Sequence, residues 1–122
     1  MKALVVDDSA VMRKVVIGAL SRAGITEVAQ AANGEEAVSA VSAEDFQLVL
    51  MDWNMPQRSG LEAVKDIRGM GKKMPIVMVT TEAEKSRIIE ALKAGANNYI
   101  LKPFEPHVFV SKIQKIMTEM SA

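Results

Sequence analysis

The sequence predicts an α/β protein built on a doubly wound, five-stranded parallel sheet with five helices, and three features carry that prediction. Short runs of apolar, largely β-branched residues alternate with stretches of helical periodicity. Each run is closed by polar or turn-forming residues. Five such units fill the 122 residues with no linker-like or low-complexity segment between them. A chain of that length is expected to be one domain, residues 1–122, large enough to bury a core and too small for a second module.

The first strand is read at residues 3–6, which run directly into Asp7-Asp8. Ser9 is the cap candidate of the first helix; Met12, Val16, Ala19, Leu20 and Ala23 share one face of it, and Gly24 ends it. A second strand at residues 26–30 leads to Asn33-Gly34-Glu35-Glu36, a helix start with acids in the first turn, followed by Ala37, Val38 and Val41 turned inward. The third strand, residues 48–51, is apolar on both faces, as a strand buried between helical layers must be, and it stops at Asp52. Asn54-Met55-Pro56 is loop, and Leu61, Val64 and Ile67 mark the third helix. Pro75 precedes the fourth strand at residues 76–79; Ile88, Ile89 and Leu92 mark the fourth helix, closed by Gly95. The fifth strand is residues 99–101, and Phe109, Ile113, Ile116 and Met120 recur at i, i+4, i+7 and i+11 along the last helix. Right-handed crossovers with helices on both faces close such a chain in the flavodoxin-like order 2-1-3-4-5. Ligands of this architecture bind beyond the carboxyl ends of the strands, where the first and third strands diverge.

Composition removes several function classes. Fifteen basic residues balance fifteen acidic ones, so no general field attracts a nucleic acid or an anionic membrane, and a partner must be recognised locally. There is no cysteine, hence no disulfide or thiolate metal site, and a cytoplasmic location is expected. The four apolar residues that precede Asp7 are far too few for a signal or a membrane span.

The strand ends deliver a concentrated chemistry. Asp7 and Asp8 close the first strand, Asp52 the third, Thr80-Thr81 the fourth and Lys102-Pro103 the fifth. Carboxylates packed together repel unless a cation sits among them, and an all-oxygen donor set without Cys or His points to a hard ion, above all Mg²⁺. Asp52 stands alone at the end of the central strand and is the acceptor candidate for a covalent phosphoryl group. Asp8 is the first choice for direct metal coordination, with Asp7 acting directly or through water and the backbone carbonyl of Asn54 completing the protein's share. Lys102 can pair with a carboxylate or a phosphoryl oxygen, and the Thr80 hydroxyl can donate to that oxygen.

Val5-Val6-Asp7-Asp8-Ser9, Met51-Asp52-Trp53-Asn54-Met55-Pro56, Val79-Thr80-Thr81-Glu82-Ala83 and Leu101-Lys102-Pro103-Phe104 together resemble the receiver domain of bacterial two-component response regulators. The resemblance spans essentially the whole chain and, through Asp52 to Pro56 and Thr80 to Ala83, is nearest to the chemotaxis regulators of that family. It implies phosphoryl transfer onto Asp52 from a histidine kinase or a small donor such as acetyl phosphate, with Asp7 and Asp8 serving Mg²⁺ and Thr80 and Lys102 serving the phosphoryl group. It also implies a switch role for Tyr99, a cis Lys102-Pro103 bond, control of phosphoryl lifetime by Asn54 and Glu82, and a phosphatase as a further partner. Output is then expected as a population shift in which Thr80 moves toward Asp52, Tyr99 turns into the vacated space, and the face of the fourth helix, fifth strand and fifth helix engages a protein target. Lys85 and Lys112 lie on that face; a flagellar motor switch, a phosphate sink or another signalling adaptor would be its target, and the chain is expected to be a monomer. Two departures from the family pattern stand out: Arg58-Ser59 before Gly60, where many relatives carry an acid, and Glu84 at a place often basic.

Simpler readings apply to other residues. Trp53 reads as a partly exposed loop aromatic, His107 as a surface residue without function, and most of the nine methionines as core or loop residues. A haloacid-dehalogenase-like phosphohydrolase would share the Asp, Thr and Lys, but its general acid belongs two residues after the nucleophile, where Asn54 cannot take a proton. A flavodoxin-like electron carrier would need a phosphate loop where Asp7-Asp8 stand.

Overall fold

The computed structural model describes residues 1–121, with side chains through residue 119. The elements alternate from β1 (Lys2–Val6) and α1 (Ala10–Arg22) through β2 (Glu27–Ala31), α2 (Gly34–Ala43), β3 (Leu48–Met51) and α3 (Gly60–Gly69). β4 (Ile76–Thr80), α4 (Lys85–Ala94), β5 (Asn98–Leu101) and α5 (Pro106–Ser121) complete the series. All strands are parallel, in the order β2-β1-β3-β4-β5 that the sequence predicts.

Alternation along the central strands feeds two cores. Leu4, Val49, Met51 and Met78 meet Ala37, Val41, Val64, Ile67 and Ala91 of α2, α3 and α4 on one face. Ala3, Val5, Leu50 and Val77 meet Val16, Leu20, Phe109 and Ile113 of α1 and α5 on the other. β1, β3 and β4 are covered on both faces, and this explains why their sequences are continuous apolar runs rather than alternating ones.

The helices start where their caps dictate. Ser9 Oγ accepts from the Met12 N–H, Asn33 Oδ1 accepts from the Glu36 N–H, and Ser59 forms a reciprocal capping box with Glu62. Gly95 closes α4 at φ 123°, a backbone conformation that a side chain would strain. Its carbonyl is gripped by Arg68 of α3, whose Nε and Nη2 donate to it at 3.0 and 2.9 Å while Nη1 reaches the Lys72 carbonyl.

Several boundaries and faces differ from the sequence reading. β2 runs one residue later than predicted, β1 and β5 begin one residue earlier, and β4 takes in Thr80, because ladder pairing such as Lys2↔Glu27 and Thr80↔Leu101 recruits polar residues that apolar patterning omits. On α4 the small Ala91 is fully buried and Ile88 packs beside it, whereas Ile89 and Leu92 are 43% and 44% exposed. Met120, which the repeat places inward on the last helix, lies outside the described side chains.

Candidate functional site

Backbone pairing brings the predicted residues to one edge. The Asp52 N–H donates to the Val6 carbonyl at 3.0 Å, fixing the end of β3 beside the end of β1 and its two acids. The Lys102 N–H donates to the Thr80 carbonyl at 2.9 Å and does the same for β4 and β5. Carboxylate oxygens of Asp7, Asp8 and Asp52 consequently lie within 4.8 Å of one another. Asp7, Asp52 and Thr80 are buried and Asp8 is exposed, so the cluster opens to solvent on the Asp8 side.

Lys102 Nζ sits 2.9 Å from Asp7 Oδ2 and 3.6 Å from Asp52 Oδ2. Asp7 Oδ1 accepts the Ser9 N–H at 2.9 Å, and Asp52 Oδ1 accepts the N–H of Trp53 at 2.8 Å. Burial pushes the Asp52 carboxyl above its ordinary value, and the Asp7 charge adds to the rise; the Thr80 hydroxyl, the Lys102 ammonium and the Trp53 N–H oppose it. Three carboxylates against one ammonium leave two formal negative charges, which a divalent cation would balance. The donor set, all oxygen and partly open to water, fits Mg²⁺. Asn54 is exposed on the loop two residues beyond Asp52.

The model of the response regulator receiver domain matches residues 3–114. The chain belongs to the response regulator receiver domain family. Among its curated relatives are a chemotaxis protein CheY homolog of Campylobacter jejuni, 48% identical over 96% of this chain and 92% of the relative, and chemotaxis protein CheY1 of Helicobacter pylori, 46% identical over 96% and 97%. In structure it is similar to CheY4 of Vibrio cholerae, with a TM-score of 0.86 at 37% identity over 94% of this chain and 97% of that one. It also matches a two-component response regulator of Clostridium difficile, with a TM-score of 0.92 at 26% identity over 100% and 99%. Receiver domains of this type are regulators rather than turnover enzymes, and they bind Mg²⁺ at an acidic cluster.

The remaining predicted residues lie on β4 and β5, on the loops that follow them, and on α4 and α5. The Lys102-Pro103 bond is cis, as the resemblance implies. Thr80 Oγ1 accepts the Glu82 N–H at 3.3 Å, and the hydroxyl of Tyr99 donates to the Glu82 carbonyl at 2.6 Å. Tyr99 is therefore turned inward and buried, and burial, assisted by Glu82 and Asp52, pushes its phenol up to about 12. Lys112 Nζ reaches the Tyr99 carbonyl at 3.3 Å, while Lys85 stands exposed at the start of α4. His107 is exposed and lies 3.4 Å from Glu105.

Trp53 corrects the sequence reading. It is buried at 4% exposure because the chain folds back after β3: the Gly60 N–H donates to the Trp53 carbonyl at 2.9 Å, and the Arg87 guanidinium of α4 lies over the indole at 5.5 Å. Gly60 is a residue that sequence reasoning passed over. A Cβ there would run into the Asp52 carbonyl, so the close approach that holds the loop after Asp52 requires glycine. Its only signal in the sequence is a glycine at the first position of a helix.

Proposed function

We propose that this receiver domain is a phosphorylation switch in which Asp52, assisted by Mg²⁺, accepts a phosphoryl group from a histidine kinase or a small donor such as acetyl phosphate. The observation that carries this reading is the convergence of Asp7, Asp8 and Asp52 within 4.8 Å around the end of the central strand, with Lys102 reaching two of them. Asp52 Oδ1 is held by the Trp53 N–H, and Oδ2 faces Lys102. The oxygen on the Lys102 side attacks phosphorus, an O–P bond forms, and the donor's P–N or P–O bond breaks with its electron pair leaving on the donor. Mg²⁺ would supply charge neutralisation for the transferring group, and Asp8, Asp52 and the Asn54 carbonyl would hold it, with Asp7 acting directly or through water. Lys102 and Thr80 bind the phosphoryl oxygens. Asn54 and Glu82, two residues after Asp52 and Thr80, tune the lifetime of the phosphoryl group.

Phosphorylation gives the Thr80 hydroxyl, already beside Asp52, a charged phosphoryl oxygen to bind, and the Thr80–Glu82 and Tyr99–Glu82 bonds are held in place with it. The inward Tyr99 is thereby favoured, and with it one arrangement of the α4-β5-α5 face, where Ile89, Leu92, Leu101 and Val108 are exposed and Lys85 and Lys112 are placed. The relatives are named chemotaxis proteins, which supports a chemotactic role with the flagellar motor switch as target. A phosphate sink or another adaptor role would use the same chemistry. The protein acts as a cytoplasmic monomer.

Intact-protein mass after incubation with Mg²⁺ and acetyl phosphate tests the reading. One base-labile phosphoryl adduct is expected that needs Mg²⁺ and disappears in Asp52→Asn. An unmodified wild type with every donor, or an adduct that persists in the variant, overturns it.

A further inference from the structure

Arg13 reaches back from the first turn of α1 to the strand edge. Its Nη1 donates to the Asp7 carbonyl at 2.6 Å, and its Nε donates to Gln30 Oε1 at 2.9 Å. One guanidinium thus ties the peptide that joins Asp7 to Asp8 onto the neighbouring strand β2. A cation in the first turn of a helix opposes the helix dipole, so its presence there is not explained by helix stability. A charged bond of this length to a backbone carbonyl is among the stronger ones available to the chain.

The three carboxylates differ in how they are held. Asp7 is fixed by Ser9 and Lys102, and Asp52 by Trp53 and Lys102. Asp8 is exposed, so the aim of its carboxylate depends on the orientation of the peptide that carries it. That peptide is the one Arg13 grips. We propose that Arg13 is a positioning residue for the metal site: it pins the Asp7–Asp8 peptide so that the Asp8 carboxylate faces Asp52, and Gln30 anchors the guanidinium that does so. The inference rests on the reading of Asp8 and Asp52 as metal ligands. Arg13 touches neither the ion nor the phosphoryl group, and its effect is confined to the Mg²⁺ concentration at which the site fills.

Mg²⁺ titrations followed by Trp53 fluorescence, together with urea unfolding in EDTA, test the proposal. Arg13→Ala is expected to raise the Mg²⁺ midpoint roughly tenfold, as loss of a partner behind a metal ligand does. Arg13→Lys, which keeps the charge and one donor, is expected to recover most of that shift. Gln30→Ala is expected to shift the midpoint in the same direction by less. The acetyl phosphate rate at saturating Mg²⁺ should match wild type in all of them. A midpoint unchanged in Arg13→Ala overturns the positioning role and leaves the metal site standing. Should Arg13→Ala fail to fold, wild-type midpoints in both Arg13→Lys and Gln30→Ala overturn the role instead. If Asp8→Asn and Asp52→Asn titrate like wild type, the metal reading fails, and the role of Arg13 fails with it.

Discussion

The ammonium of Lys102 lies closer to Asp7, at 2.9 Å, than to Asp52, at 3.6 Å, although Asp52 ends the central strand. Lys102 therefore neutralises the buried Asp7 at the end of β1 first and holds the buried Asp52 more loosely. Removing a charge from a buried group of this kind leaves its partners uncompensated. Lys102→Met is expected to lower stability by about 3 kcal/mol in EDTA, and Mg²⁺ should restore more stability to the variant than it adds to wild type. Urea unfolding with and without Mg²⁺ measures both. A loss of the same size in the two conditions would show that Lys102 and the ion do not share the same charge.

Asp52 illustrates how a site can oppose the fold that carries it. Burial lifts its carboxyl above the ordinary value near 3.8, so between that value and its folded value the native state keeps a proton that the unfolded chain releases. Stability therefore falls as pH rises through that window and stays lowered above it. Asp52→Asn carries no such charge, and in EDTA it should be more stable than wild type at neutral pH, the advantage vanishing below the ordinary carboxyl value. Thermal unfolding across acid to neutral pH decides the point; a variant less stable than wild type at neutral pH contradicts it. Added Mg²⁺ should shrink the difference, because it favours the ionised wild-type site.

Arg68 joins α3 to the end of α4 through the Gly95 carbonyl, the Lys72 carbonyl and the Asn97 side chain, which in turn accepts the Ile76 N–H at 2.8 Å. Its truncation strands carbonyls at a helix end. Arg68→Ala is expected to cost about 2 kcal/mol of stability with little change in the Mg²⁺ midpoint or the phosphorylation rate, since the contact lies away from the carboxyl ends of the strands. A variant as stable as wild type in urea would show that water replaces the guanidinium without loss.

The strand ends were legible in the sequence because each reactive residue follows an apolar run, and the topology places all such ends at one edge. Asp7, Asp8, Asp52, Thr80 and Lys102 come together on that logic alone. What escaped was non-local. An arginine reads as a solvated side chain until the structure shows Arg13 against the Asp7 carbonyl or Arg68 against Gly95, 27 residues away. Trp53 looks like a loop aromatic because its loop is polar, and its burial comes from the return of the chain at Gly60. On α4 the apolar residues Ile89 and Leu92 suggested an inward stripe, but the sheet receives the smaller Ala91, and the larger side chains stay on the exposed face. Patterning reports which residues can be buried, not which face a neighbouring element covers.

Tyr99 offers a titration that reads its inward position directly. It is the chain's one tyrosine, so its ionisation is resolved by absorbance without overlap. Burial, with help from Glu82 and Asp52, pushes the phenol from 10.0 up to about 12. An acid whose folded value is raised keeps its proton in the native state after the unfolded chain has lost it, so its stabilising contribution is full below pH 10 and is lost as pH rises toward 12. Tyr99→Phe removes the bond to the Glu82 carbonyl and is expected to cost about 1 kcal/mol near neutral pH. The stability gap between wild type and variant should then narrow through the window from 10 to 12, which separates the phenol from lysines titrating in both proteins. A phenol that ionises near 10 in the native protein would place the ring outside the pocket and remove the Tyr99–Glu82 bond from the proposed switch.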